Sequence, residues 1–297
     1  MLVIHRNVSL ADHCRFRVGG PADFFVEADG PKPLLAALRF ARRHGLRRFV
    51  YGGGSNVLFD DAGFRGIVVR VHGGSYALDD PRCEVAVDAG YDLPALVRGL
   101  AEDGFGGIEF LGNIPGSVGG AVVGNAGCYG RAVADVLVSA RLLDVETEAE
   151  RVEGPAFFEF AYRNSRLKDD PGLVVLSATL KLARRPRGEV LREVEEELAL
   201  RMGKHPHEAR CAGSFFKNPS REMPAWRAIT EAGLAEARVG DAMLSSMHAN
   251  FLVNAGQATS ADILALVSLI RSGVLKHSGI VLAPEVRYVG PTGFAPL

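Results

Sequence analysis

Apolar and polar residues alternate over 23–28 (DFFVEA), the period of a half-buried strand; from Pro31 the period becomes helical and runs to residue 44, with proline at its start and Gly45 at its end. Residues 47–51 read as a strand, and after a glycine loop so do 57–59 and 66–71. A second block carries strand 84–87, helix 93–102 and the Val- and Leu-rich strands 136–145 and 173–182. Helix 186–202 closes it, with the charged run 193–197 expected on a solvated outer face. The third block reads as helix 225–232, strand 248–253, helix 260–275 and a closing strand 280–289. These patterns define an α+β chain in three blocks, 1–72, 73–203 and 204–297. No internal repeat or low-complexity linker separates them.

The length of 297 residues suits two or three domains, and 47% hydrophobic with 23% charged residues places the chain among globular proteins. A net charge of -1 argues against nucleic acid or an anionic membrane as partner and leaves room for a local pocket for a small anion. The N-terminal residues do not read as a signal peptide, and no uninterrupted apolar stretch of about 18 residues occurs. The most lipid-like window, 110–126, contains Pro115 and five glycines and reads as a loop. Cys14, Cys83, Cys128 and Cys211 stand singly, as suits a reducing cytoplasm. His205 and His207 with Cys211 form no convincing metal set. Trp226 reads as a core anchor of the third block, and His248 as a structural hydrogen-bonding residue at the start of a strand.

Glycine is the outlier: 35 residues, about 12% of the chain against about 7% on average. The excess clusters in Gly52-Gly53-Gly54-Ser55-Asn56, directly after a strand, and in 112–120 (GNIPGSVGG), followed by Asn125 to Gly130. No lysine and hydroxyl residue follow the first loop as in a P-loop, and no GxGxxG opens a helix. Two loops stripped of side chains can cradle one diphosphate by their backbone N–H groups.

At this point the chain resembles a known family. FRVGGPAD from Phe16, YGGGSNVLF from Tyr51, GIEFLGNIPGSVGG from Gly107, NAGCYG from Asn125, FAYRNSRLK from Phe160, AGSFFKNP from Ala212, HANFLVN from His248 and LAPEV from Leu282 follow in the order seen in bacterial UDP-N-acetylenolpyruvoylglucosamine reductases, in a short form without the tyrosine-bearing insertion. The resemblance implies a bipartite FAD-binding fold of the vanillyl-alcohol oxidase type over 1–72 and 73–203, then a smaller α+β substrate-binding domain over 204–297. It implies noncovalent FAD, held by Gly52, Gly53, Gly54, Ser55, Asn56, Gly116, Ser117, Val118, Gly119, Asn125 and Gly127. NADPH is the implied hydride donor and a UDP-sugar the substrate, whose enolpyruvyl ether is reduced in peptidoglycan precursor synthesis; a cytoplasmic monomer without a catalytic metal is favoured. Arg163 is implied to meet the substrate carboxylate, Ser214 to deliver the proton, and Glu285 to polarise the substrate or relay that proton. Tyr162, Lys217 and Asn218 are implied substrate contacts, with Ser165 lining the same cleft. A flavin oxidase of a sugar or alcohol is the competing reading, and Ser214 and Glu285 in their motifs argue against it. Departures from the pattern are Cys14-Arg15, where threonines are usual, and Met247 before HANF.

Overall fold

A computed structural model describes residues 2–206 and 209–297. His207 lies outside the described residues. Six α-helices are present among them: α1 (Pro31–Arg43), α2 (Leu93–Glu102), α3 (Val118–Gly124), α4 (Arg187–Met202), α5 (Ala225–Glu231) and α6 (Ser260–Ser278). The chain divides into two compact units. One comprises Met1–Ile4, Val26–Gly53 and Val69–Arg201, the other His5–Phe25, Gly54–Val68 and Met202–Leu297.

The first unit is built on an antiparallel five-stranded sheet in the order Glu150–Glu153, Leu137–Asp144, Leu173–Lys181, Glu84–Asp88, Tyr76–Asp79. The central strands alternate as expected, with Leu137, Ala140, Leu142, Ala178 and Leu180 in a core shared with α2 and α3. Helix α2 begins where Asp92 accepts the N–H of Ala95 at 2.9 Å, with Pro94 in its first turn, and buries Leu93, Leu96, Val97, Leu100 and Ala101. Each of the leucines and the valine contributes about 1.5–3 kcal/mol of apolar burial. Within the window read as a loop, Val118–Gly124 is helical: Ser117 caps it, and the face of Val118, Ala121 and Val122 is buried, so packing overrides the glycines. The charged run on α4 is not uniformly solvated either. Glu195 and Glu196 face water, whereas Glu193 pairs with Arg185 at 2.7 Å and Glu197 is half-buried.

The second unit holds a three-stranded antiparallel sheet, Arg238–Val239, Ala242–Ser245 and His248–Asn254, with α5 and α6 against it. Helix α6 starts on a reciprocal cap, Thr259 with Asp262, and stops at Gly279 in the left-handed conformation, φ 72°. Strand Val57–Phe59 pairs in parallel with Arg287–Gly290. The closing strand is therefore shorter than 280–289. Pro284 has no N–H to give a ladder, so 280–286 meets Phe216 through a single bridge and only Arg287–Gly290 continues as strand. Trp226 is no core anchor: it sits in the first turn of α5 and is 44% exposed. No helix among the described residues is long and apolar enough to cross a membrane.

Candidate active site

Within the first unit the two glycine loops meet backbone to backbone. A Cβ on Gly53 would stand 2.9 Å from the Cα of Gly116, and one on Gly52 would collide with the Ser117 hydroxyl, so neither position has room for a side chain. Gly119 and Gly127 have packing reasons. A Cβ on Gly119 would strike Ala89, and one on Gly127 would strike the Arg131 carbonyl across the short pairing of Gly127–Cys128 with Arg131–Ala132. The amides of Val118, Gly119 and Gly120 are committed to Tyr91 O, Ala89 O and Ser117 Oγ, and the Val118 side chain is in the core. That concentrates any anion-facing role of these loops on Gly52, Gly53, Gly116 and Ser117. Beside them Asn113 is 5% exposed, and its Nδ2 has no hydrogen-bond partner among the described residues. A buried donor without a partner is costly unless a bound group accepts from it, so this loop pair fits a polar cofactor.

The same unit carries Arg163 on a tight turn. Ala161 and Asn164 exchange both backbone hydrogen bonds, at 3.1 and 3.0 Å, which leaves Tyr162 and Arg163 at the corner. Arg163 has φ 54°, a left-handed conformation usually left to glycine or asparagine. The strain persists because both ends of the turn are fastened to α3. Asn125, buried at the end of that helix, donates to the Ala161 carbonyl at 2.9 Å and accepts the Ala134 N–H at 3.0 Å; the Ser165 hydroxyl donates to Val123 O at 2.7 Å. Ser165 is fully buried and so lines no cleft, and the Asn125 side chain is engaged by Ala161 and Ala134. Lys168 Nζ donates to the Arg163 carbonyl at 2.6 Å. The Arg163 guanidinium lies 5.4 Å from the ring centroid of the exposed Tyr162. Burial pushes the Cys128 thiol up to about 11, which keeps it protonated and unreactive at neutral pH.

The second unit brings together Ser214, Lys217, Asn218, Glu285 and Asn56. The peptide of Phe215 is clamped from both sides: its N–H donates to Asn250 O at 2.7 Å, and its carbonyl accepts the Glu285 N–H at 2.7 Å. Ser214 and Glu285, both half-buried, therefore stand on neighbouring extended segments. Asn250, 2% exposed, fixes the next peptide as well, accepting the Phe216 N–H at 2.9 Å and donating to the Phe216 carbonyl at 2.8 Å. Asn56 Nδ2 donates to the Glu285 carbonyl at 3.2 Å and Asn56 O accepts the Arg287 N–H, so Asn56 holds the Glu285 segment. Gly54 O accepts the Arg15 N–H at 3.1 Å, fastening the Cys14-Arg15 loop to the glycine loop. Lys217 N–H donates to Ala283 O, and Asn218 Oδ1 accepts the Ala225 N–H at 3.0 Å, capping α5. His248 accepts the Asn250 N–H on Nδ1 at 3.2 Å, and burial holds its imidazole below its ordinary value. No group of three or more metal-ligating side chains occurs among the described residues.

Asn113, Asn125 and Asn250 all lie inside the family motifs, and the resemblance implies a role for Asn125 alone. The missing signal is tertiary, because Asn125 and Asn250 act on backbone groups distant in sequence and Asn113 is marked only by its burial.

Residues 22–153 match the family of FAD binding domains, which makes this chain a flavin-binding protein with a bipartite α+β architecture. Residues 205–289 match the C-terminal domain of UDP-N-acetylenolpyruvoylglucosamine reductase. Reductases of that name from Synechococcus sp. (strain JA-3-3Ab) and Chloroflexus aggregans are 39% and 38% identical over 289 and 295 residues, covering 97% of this chain and 91% and 98% of theirs. The crystal structure of the Thermus caldophilus reductase superposes with a TM-score of 0.82 at 36% identity, over 97% of this chain and 99% of that one. The chain belongs to the UDP-N-acetylenolpyruvoylglucosamine reductase family.

Proposed function

We propose that the chain reduces the enolpyruvyl group of UDP-N-acetylenolpyruvoylglucosamine to give UDP-N-acetylmuramate for peptidoglycan synthesis, with NADPH as hydride donor. The observation that carries this reading is the clamp on Phe215, which sets Ser214 beside the Glu285 segment inside two family motifs. FAD is held noncovalently by Gly52, Gly53, Gly116 and Ser117, with Asn113 as a further donor and Gly54, Ser55 and Asn56 from the same loop. Bound there, FAD would supply hydride-transfer chemistry between NADPH and the methylene carbon of the substrate.

Hydride arriving at that methylene leaves negative charge on the carbon next to the carboxylate, and a proton must reach that carbon. The Ser214 hydroxyl delivers it. A serine is a weak acid, but a carbanion-like centre is a strong base, so a positioned weak acid suffices. Arg163 meets the carboxylate with a planar fork already set by the turn, and preorganised charge of this kind is usually the largest catalytic contribution. Glu285 polarises the substrate or returns a proton to Ser214. Lys217 and Asn218 meet the diphosphate of the UDP moiety, in a substrate-binding part spanning 204–297 that follows flavin-binding parts 1–72 and 73–203. The working compartment is the cytoplasm, where NADPH and UDP-sugars are found. The purified protein is expected to be yellow, to release its flavin on acid or heat, and to oxidise NADPH only when the UDP substrate is added. Flavin retained by denatured protein would contradict noncovalent binding. Rapid reoxidation by air with peroxide formation would favour the oxidase reading.

A further inference from the structure

We infer that the exposed indole of Trp226 is the stacking platform for the pyrimidine base of the UDP substrate. This rests on the reading of Lys217 and Asn218 as diphosphate contacts and extends it to the nucleoside. A tryptophan 44% exposed in the first turn of a short helix loses apolar burial without visible return, unless something covers it. Its surroundings suit a flat heteroaromatic ring. The His248 ring lies 6.3 Å away, edge-on, and behind it His205 and Phe251 complete a layer with centroid spacings of 5.0–5.2 Å. Met247, next to His248, is also exposed and offers a soft apolar flank. Burial disfavours the charged form of the His248 imidazole.

The position is tied to Lys217 and Asn218 by covalent and hydrogen-bonded connections. Asn218 Oδ1 holds the N–H of Ala225, the residue immediately before Trp226, and Lys217 precedes Asn218. A nucleoside diphosphate carries its base one ribose away from its phosphates, the kind of separation between a side chain on α5 and the residues that cap α5. Stacking on an aromatic face is tolerant of base identity, so this platform contributes affinity while hydrogen bonds elsewhere select the base.

Trp226 is the single tryptophan of the chain, so its emission reports the site directly. The holoprotein is titrated with UDP, with uridine monophosphate and with N-acetylglucosamine 1-phosphate, which shares the sugar phosphate but has no base. Expected are saturable quenching by the two uridine nucleotides and none by the sugar phosphate. Trp226→Ala is expected to raise KM for the UDP substrate by about 5- to 150-fold, and Trp226→Phe to restore most of the loss. Unaltered emission at saturating UDP, or an unchanged KM in Trp226→Ala, overturns the platform even where the wild-type enzyme turns the substrate over. Quenching by UDP in a protein that does not turn the substrate over would keep the platform and overturn the reductase reading.

Discussion

Arg163 shows most sharply how a single residue is placed at a cost. A non-glycine residue in the left-handed region gives up about 1–2 kcal/mol, and here Asn125, Ser165 and Lys168 hold the turn against that loss. Arg163→Gly is therefore expected to melt no lower than the wild type, while turnover falls by about 100-fold or more as the carboxylate loses its cation. Thermal melting and steady-state assay on the same preparation decide it; a much lower melting temperature would make the guanidinium a structural group. The motifs made Arg163, Ser214 and Glu285 legible as candidates. The residues that hold them were not, because an asparagine's value depends on which peptide stands opposite it, and nothing in the local period around Asn250 or Asn125 encodes that partner.

Among the elements, the glycine loops and α4 make opposite demands. Gly53 faces Gly116 with no space between, so Gly53→Ala is expected to push the loops apart and lower the flavin content of the purified protein, read from the ratio of flavin to protein absorbance. Full flavin content in this variant would remove the loop contact from the cofactor site. On α4, Glu197 has a buried Oε2 without a hydrogen-bond partner among the described residues, and burial, with Glu193 and Glu109 nearby, raises its carboxyl above the usual 4.5. A raised folded value means that stability is fully present below the unfolded value and is lost as pH rises through the folded one. Glu197→Gln is thus expected to melt higher than the wild type at about pH 8 and at the same temperature at about pH 4. Equal melting curves at both pH values would show that the carboxylate is solvated. Helices and strands with a clean period, such as α2 and Leu173–Lys181, were readable in the sequence. The helix at Val118–Gly124 was hidden because its glycines argue for a loop, and its buried face declares itself only once Ala89 and Tyr91 are in place. Trp226 misled for the converse reason: a large aromatic in a helical period reads as core, and only tertiary structure shows which side faces out.

For the whole molecule, the division of labour assigns flavin to one set of motifs and the substrate proton to another. Two reactions sharing one flavin can then be separated in time. If Ser214 is the proton donor, hydride transfer from NADPH, which creates no carbanion on the UDP substrate, has no use for it, whereas reduction of the enolpyruvyl group does. Stopped-flow absorbance of the flavin in the wild type and in Ser214→Ala follows both steps. The expected result is bleaching by NADPH at a nearly unchanged rate and recovery on adding the UDP substrate slowed by about 100-fold or more. Equal slowing of both steps, or recovery at the wild-type rate, would contradict the assignment of Ser214 as the proton donor of this reductase.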